Sequence, residues 1–104
     1  MSLDIYIDGS DASLNVTHNL GAMAREASIY TEVWHPEEVG ITQVSQMIPV
    51  LISGLKLLES DPGRFKIHNP GNGWGDYDNF VQFLSDYLIE CVISDPSAAI
   101  RASR

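Results

Sequence analysis

The sequence is short of cysteine and of basic residues, and both shortages limit what the protein can be. Cys91 is the only cysteine among 104 residues, so no disulfide can form within the chain and a reducing compartment is expected. Six lysines and arginines stand against fourteen aspartates and glutamates, which gives a formal charge of -8. This charge repels phosphate backbones and anionic lipid surfaces, so we expect neither nucleic acid nor a membrane as a partner.

The sequence also lacks long apolar runs and a signal-like N-terminus. No run reaches the length of a membrane span, and no basic region followed by an apolar one opens the chain. We therefore expect a cytoplasmic protein. The hydrophobic fraction of 44% and the charged fraction of 19% are ordinary for a folded protein. Since a chain of 104 residues is too short to build two adequate cores, a single domain is expected over residues 1-104.

Three short segments have the pattern of strands. Apolar and polar residues alternate over 3-7 and again over 14-18, which is the period of a half-buried strand. Turn residues over 8-11 separate these runs, so the two strands should pair as an antiparallel hairpin. A weaker alternation over 98-102 predicts a third strand beside the hairpin.

The first helical pattern follows the second strand. Apolar residues recur at helical spacing from Leu20, with Asn19 as the expected N-cap, and the helix is predicted to reach Tyr30 or Trp34. A separate helical turn is then predicted from Pro36, because proline suits the first position of a helix.

The second helical pattern is the most apolar part of the chain. Thr42 is its expected N-cap and Asp61 is its expected end, with a kink or a later start near Pro49. A loop is expected to follow over 64-75. The apolar stripe is wide for one helix face. We therefore expect either burial on more than one face or a homo-oligomer formed through the helix 42-59.

The third helical pattern begins after Asp76, the expected N-cap, and ends at Asp95. Its apolar spacing is the most regular in the chain. Together, the patterns predict an α+β fold of three main helices packed with a small antiparallel sheet of two or three short strands.

Two polar segments stand directly before predicted helices, and the first is 15-19. Helix N-termini offer unpaired amides, so Thr17, His18 and Asn19 could bind an anion there, and His18 could act as a general base. A structural interpretation is equally simple. In it, Asn19 caps the helix, Thr17 belongs to the strand, and His18 bonds to a backbone carbonyl.

The second polar segment is 69-77, which is rich in glycine and asparagine. A functional interpretation makes Asn72, Trp74 and Tyr77 the wall of a ligand pocket. The structural interpretation is that Trp74 covers the end of the helices, while the glycines supply unusual backbone angles. The spacing is not that of a P-loop.

Other chemistry has little support in the sequence. His18, His35 and His68 stand far apart without the paired spacing of a zinc site, so no metal is expected. Cys91 lies in an apolar helical pattern typical of a core position, and no serine stands in a nucleophile motif. No cofactor is expected.

Three segments carry a resemblance to a family of small uncharacterised proteins of bacteria and their phages. They are Asn15 to Leu20, Trp34 to Glu38 and Asn69 to Tyr77, with the motifs Asn-x-Thr-His-Asn, Trp-x-Pro-Glu-Glu and Asn-Pro-x-Asn-Gly-Trp-Gly-x-Tyr. The resemblance covers nearly the whole chain. It implies a bacterial or phage setting and places both polar segments in one recurring arrangement, but it implies no catalytic residue.

Two functional hypotheses follow from the sequence. The leading one is a non-enzymatic binding or interaction domain with a small polar site for an anionic or nucleotide-like ligand. The residues of this site are Thr17, His18, Asn19, Asn72, Trp74 and Tyr77. The alternative is a small hydrolase or transferase that uses His18 as general acid or base, with Asp76 or Glu26 orienting it. Both hypotheses require that the segments near residues 18 and 74 share one cavity.

Overall fold

The structure, a computed structural model, describes residues 2-73 and 75-104. Within these residues, three strands and five α-helices form an α+β fold, which confirms the predicted class. The strands are β1 Ser2–Ile7, β2 Leu14–Thr17 and β3 Ile100–Ser103; the helices are α1 Gly21–Glu26, α2 Tyr30–Trp34, α3 Val44–Ser60, α4 Pro62–Lys66 and α5 Tyr77–Ile93. Short 3-10 turns cover His18–Leu20 and Pro36–Val39.

The sheet has β1 at its centre, with β2 and β3 antiparallel on either side. Leu3 stands opposite Val16 in the hairpin, and Ile5 stands opposite Ala102 of β3. The apolar residues of the alternating pattern face the core, as such a pattern predicts: Leu3, Ile5 and Val16 are buried on the same side of the sheet. The predicted hairpin and the predicted third strand are both confirmed.

The two 17-residue helices, α3 and α5, pack along each other and form the most extensive helix contact among the described elements. The largest of their fully buried side chains are Met47, Leu51 and Leu58 on α3 and Phe80, Leu84 and Tyr87 on α5. Burial of each such side chain contributes about 1.5 to 3 kcal/mol of transfer free energy. The α3–α5 pair therefore forms the main part of the core that holds the sheet and the loops in position.

The prediction of one continuous first helix is wrong. α1 ends at Glu26 and α2 begins at Tyr30, because Ser28 adopts a φ of 61° in the left-handed region. The Ser28 amide donates to the Arg25 carbonyl and the next amide donates to the Ala24 carbonyl, both at 3.0 Å. This pair of bonds is a Schellman ending, a motif that usually has glycine where this chain has serine.

Two expected N-caps are also wrong. Thr17, rather than Asn19, caps the first helical turn, and its Oγ1 accepts from the Asn19 amide at 3.3 Å. The chain turns one residue after the strand, so Asn19 is already inside the turn. Gln43 rather than Thr42 caps α3, through a reciprocal capping box with Gln46.

Helix α3 is continuous from Val44 to Ser60, so the later start considered near Pro49 is not observed. The predicted stop at Asp61 is confirmed, but Pro62–Lys66 then forms α4 where we expected the beginning of a loop. Proline fits the first position of a helix, because the amide that it lacks would have had no partner there. Ile52 is exposed on the outer side of α3, and the homo-oligomer remains a prediction.

Candidate functional site

The two polar segments come into contact at Gly75. This residue has a φ of 89°, and a Cβ on it would lie 2.7 Å from Thr17 Cγ2 and 3.2 Å from Leu20 Cδ1. Carbon atoms do not approach this closely without displacement, so only glycine lets the chain pass here. The end of the glycine-rich segment therefore lies against the strand-to-helix junction. Trp74, which the hypotheses placed in the cavity, lies outside the described residues.

A groove of about 290 Å³ opens beside this contact, between β2 and the N-terminal half of α5. Its described lining residues are Asn15, Val16, Thr17, Leu20, Gly75, Asn79, Gln82, Phe83 and Asp86. Asp86 is the one ionisable side chain among them, and Gln82 Nε2 donates to its carboxylate at 2.8 Å. The groove thus presents amide groups, a hydroxyl group and one negative charge to any ligand that binds there.

The β2 wall of the groove is held in place by its own hydrogen bonds. Asn15 Nδ2 donates to Asp4 Oδ1 at 2.6 Å and to Ser2 Oγ at 2.9 Å, both on β1. Thr17 Oγ1 accepts from the Asn19 amide. Because the amide nitrogen of Asn15 is already engaged, its amide oxygen is the group available to a ligand.

His18 is bonded to Trp34 and does not line the groove. Trp34 Nε1 donates to His18 Nδ1 at 2.9 Å, and Trp34 is only 2% exposed. An imidazole that accepts at Nδ1 is neutral and carries its proton on Nε2. The ring nitrogen that remains is therefore a donor in this arrangement, so it cannot take a proton from a substrate.

The enzyme hypothesis also needed a carboxylate within reach of His18. In residues 2-73 and 75-104 no such ion pair or hydrogen bond is present, and the two proposed partners are engaged elsewhere. Asp76 caps α5, as predicted, by accepting from the Asn79 amide. Glu26 accepts from Arg64 Nε at 2.8 Å, and this bond is the main reason that the pKa of Glu26 is lowered.

Tyr77 anchors α5 to α3. Its hydroxyl donates to the Leu58 carbonyl at 2.9 Å, and its amide donates to Asn69 Oδ1 at 2.8 Å. Burial is the largest of the effects that raise the pKa of Tyr77. The side chain is not among the described lining residues of the groove, and neither is Asn72, which lies exposed in the turn that precedes α5.

The helix amides expected to attract an anion are largely used within the protein. At α5, the amides of Tyr77 and Asn79 donate to Asn69 and Asp76. At the first turn, the Asn19 amide donates to Thr17. Side-chain caps of this kind occupy the groups that would otherwise bind an anion at a helix N-terminus.

A cluster of ionisable side chains after α2 was not predicted from the sequence. The ligand atoms of His35, Glu37 and Glu38 lie within 4.8 Å of one another. His35 Nδ1 lies 2.9 Å from Glu38 Oε2, and Arg104 Nη1 donates to Glu37 Oε1 at 2.6 Å and to the Trp34 carbonyl at 2.8 Å. The bond from Arg104 is the main cause of the lowered pKa of Glu37. The spacing His-Pro-Glu-Glu, folded into one helical turn, is the signal that would have revealed it.

Comparison with known proteins found no protein-family model, no curated protein and no solved structure that matches this chain. The resemblance to small bacterial and phage proteins therefore stays a prediction. Among the helices of the described residues, none combines the length and the apolar character needed to cross a membrane.

Proposed function

We propose that this protein is a non-enzymatic binding domain whose site is the groove between β2 and α5. One observation carries the proposal: the close contact of Gly75 with Thr17 joins the two polar segments into adjoining walls of one groove. The groove volume of about 290 Å³ lies near the lower end of the range of small-molecule pockets, about 300 to 1,000 Å³. The ligand is accordingly small.

The lining residues favour a neutral or cationic ligand over the anion considered from the sequence. No lysine, arginine or histidine is present among the described lining residues, and Asp86 contributes a negative charge. An anion would lose its hydration without gaining a compensating cation. The amide groups of Asn15, Asn79 and Gln82 suit the hydrogen-bonding edges of an uncharged nucleoside, and Asp86 suits an amine.

The bonding of His18 supports binding without catalysis. Its Nδ1 is occupied by the indole of Trp34, so the half-buried ring serves as the acceptor for a buried core side chain. No observation favours the hydrolase or transferase hypothesis over this structural role.

A titration of the full-length chain with nucleosides, small amines and the matching nucleotides tests the proposal. Amide resonances of Thr17, Gly75 and Asn79 should shift in heteronuclear NMR spectra with a nucleoside or an amine, and less with the nucleotide. If no compound shifts these resonances, or if nucleotides bind more tightly than nucleosides, the proposal fails.

A pair of matched variants makes the test specific to the groove. Asp86→Asn should weaken amine binding about fivefold, the effect of losing one partly solvated ionic contact of about 1 kcal/mol. Asp78→Asn removes the same charge from the same helix at an exposed position that is not among the described lining residues of the groove. Equal effects of the two changes would indicate only a general response to net charge.

A further inference from the structure

A second concave surface continues along the C-terminal half of α5. Concavities of about 530 and 200 Å³ lie between the β1–β2 connection and the helix, and both are lined by Ala12 and Glu90. They therefore form one depression, hereafter the α5 trough, whose walls are residues 8-14 and 86-95. The helical part of this wall, residues 86-93, measures about 12 Å at 1.5 Å per residue.

The α5 trough is strongly acidic. Its described lining carries no lysine or arginine and has five carboxylates, namely Asp8, Asp11, Asp86, Glu90 and Asp95. A cleft lined by charges of one sign concentrates the electrostatic potential and attracts groups of the opposite sign. The hydrogen bond from Ser97 is the main cause of the lowered pKa of Asp95, which favours its ionised form.

Apolar side chains stand along the same stretch of helix. Ile89, Val92 and Ile93 are 55%, 64% and 71% exposed, and their spacing places them on one face of α5. Ile89 and Ile93 line the two concavities. Single exposed apolar residues are ordinary, but neighbouring ones beside a depression are typical of an interaction surface.

The wall of the α5 trough opposite the helix is already ordered. Ser10 Oγ donates to Glu90 Oε1 at 2.8 Å and accepts from the Ala12 amide at 3.1 Å. The Asp8 amide donates to the Ala99 carbonyl at 3.0 Å. A partner therefore meets a braced surface and does not have to order this loop on binding.

We propose that the α5 trough binds a segment of another protein in which lysine or arginine alternates with aliphatic residues. The basic groups pair with the five carboxylates, and the aliphatic groups cover Ile89 and Ile93. Nucleic acid and anionic lipid are repelled by the same carboxylates, and a second copy of this chain would bring a further charge of -8. The proposal goes beyond the small-ligand groove, with which the trough shares only Asp86 among their described lining residues.

Synthetic peptides of about twelve residues, long enough to span the trough in a helical or extended form, test the proposal. The probe is a fluorescein-labelled peptide of alternating Lys and Val, and its anisotropy is followed on titration with the full-length chain. It should bind more tightly than a Lys-Ser peptide, while a Glu-Val peptide should not bind. Added salt should weaken the binding.

Two variants locate the binding on the protein. Ile89→Ser combined with Ile93→Ser, and separately Asp8→Asn combined with Asp11→Asn, should each weaken the Lys-Val peptide about tenfold through lost apolar contact or lost attraction. The changed side chains are exposed, so circular dichroism should show an unchanged fold.

The control variants make the same kinds of substitution at positions outside the trough. Ile67→Ser changes a side chain that is 78% exposed beyond α4, and Asp78→Asn removes a charge near the start of α5. Neither should change peptide binding. The proposal is overturned if the Lys-Val peptide does not bind, or if the controls weaken it as much as the trough variants.

Sedimentation analysis tests whether a second copy of the chain, rather than a basic segment of another protein, covers the α5 trough. If the chain dimerises and Ile89→Ser with Ile93→Ser dissociates the dimer, a second copy covers this face and the proposal is wrong. Nucleoside binding at the groove should be unchanged in the same double variant, because Thr17, Gly75 and Asn79 are retained. The failure of one proposal is thus distinguishable from the failure of the other.

Discussion

The indole of Trp34 depends on a single acceptor for its buried nitrogen. The ring stacks on Tyr30 with centroids 5.2 Å apart and tilts against Phe80 at 6.4 Å, and neither neighbour accepts its N–H. His18 supplies the acceptor from the junction after β2. This bond connects the junction after β2 to the end of α2. It gives His18 a structural role that could not be predicted from its position beside a turn.

Replacing His18 by Phe should destabilise the protein by about 1 to 3 kcal/mol, the cost of leaving a buried donor unpaired. Urea denaturation at neutral pH measures the effect. His18→Gln, which keeps an acceptor oxygen, should lower the free energy of unfolding by less than His18→Phe. A His18→Phe variant as stable as the parent would show that the bond contributes nothing.

Gly75→Ala should be more damaging than Gly73→Ala, although both residues have a positive φ. A Cβ at residue 73 meets no atom within 4 Å, so the cost of Gly73→Ala is the left-handed backbone strain alone, about 1 to 2 kcal/mol. At residue 75, the contact with Thr17 adds overpacking of about 1 to 3 kcal/mol. Thermal denaturation compares the two variants.

Thr17→Ser is the natural second change, because it removes Cγ2 and keeps the capping oxygen. The double variant Thr17→Ser with Gly75→Ala should recover part of the loss, while Leu20 still limits the space. If Gly75→Ala costs no more than Gly73→Ala, the two segments are not in close contact.

The elements differed in how far local sequence could predict them. The hairpin and α5 follow from period alone, because each buries one regular face. The break at Ser28 was missed because no glycine marks it, and α4 was missed because Pro62 is both a stop for one helix and a start for the next. The groove depends on Gly75 meeting Thr17, a contact between residues far apart in sequence, and local patterns carry no signal for such a contact.

Helix α3 approaches the segment after α1 at Gly54. A Cβ there would lie 2.7 Å from Ile29 Cδ1 and 3.3 Å from its Cγ2. At an open position in a helix, glycine to alanine stabilises by about 0.5 to 1 kcal/mol. Here Gly54→Ala should destabilise by about 1 to 2 kcal/mol, because Ile29 is buried and has little room to move.

Chemical denaturation of two further variants checks this interpretation of α3. Ile29→Val with Gly54→Ala should be more stable than Gly54→Ala in the Ile29 background. Ser53→Ala, at an exposed position one residue away, should stabilise slightly through helix propensity. A stabilising effect of Gly54→Ala would mean that the helix and Ile29 separate freely.

Over the whole molecule, the scarce cations are largely committed to local contacts. Arg64 lies 2.7 Å from Glu26 and Arg104 lies 2.6 Å from Glu37, while Arg25 stands over the Tyr30 ring at 3.9 Å. The carboxylates of the α5 trough are left without such partners among its described lining residues. Five of the fourteen acidic side chains therefore lie together on one side of α5.

The ion pair of Glu26 should make part of the stability depend on pH. Its pKa is lowered below the ordinary 4.5, chiefly by the hydrogen bond from Arg64. A carboxyl whose pKa is lower in the folded state contributes stability above its unfolded pKa and loses it as the pH falls through the folded value.

The difference in stability between the parent and Glu26→Gln should therefore shrink toward zero as the pH falls from above the ordinary pKa of 4.5 through the lowered pKa of the folded state. Urea midpoints across this range measure it. Arg64→Gln should give the same pH profile, since it removes the other half of the pair. A difference that persists in strong acid would mean that Glu26 acts through something other than its charge.

The central place of β1 has a consequence for the synthesis of the chain. One neighbour, β2, follows it within a few residues, but the other, β3, is the segment Ile100–Ser103. At about 5 to 20 residues per second, the ribosome delivers β3 roughly 5 to 20 s after β1. During that interval one edge of β1 is unpaired and open to strands of other nascent chains. Neighbouring nascent chains on one polysome can therefore associate through this edge of β1 until β3 emerges and pairs with it.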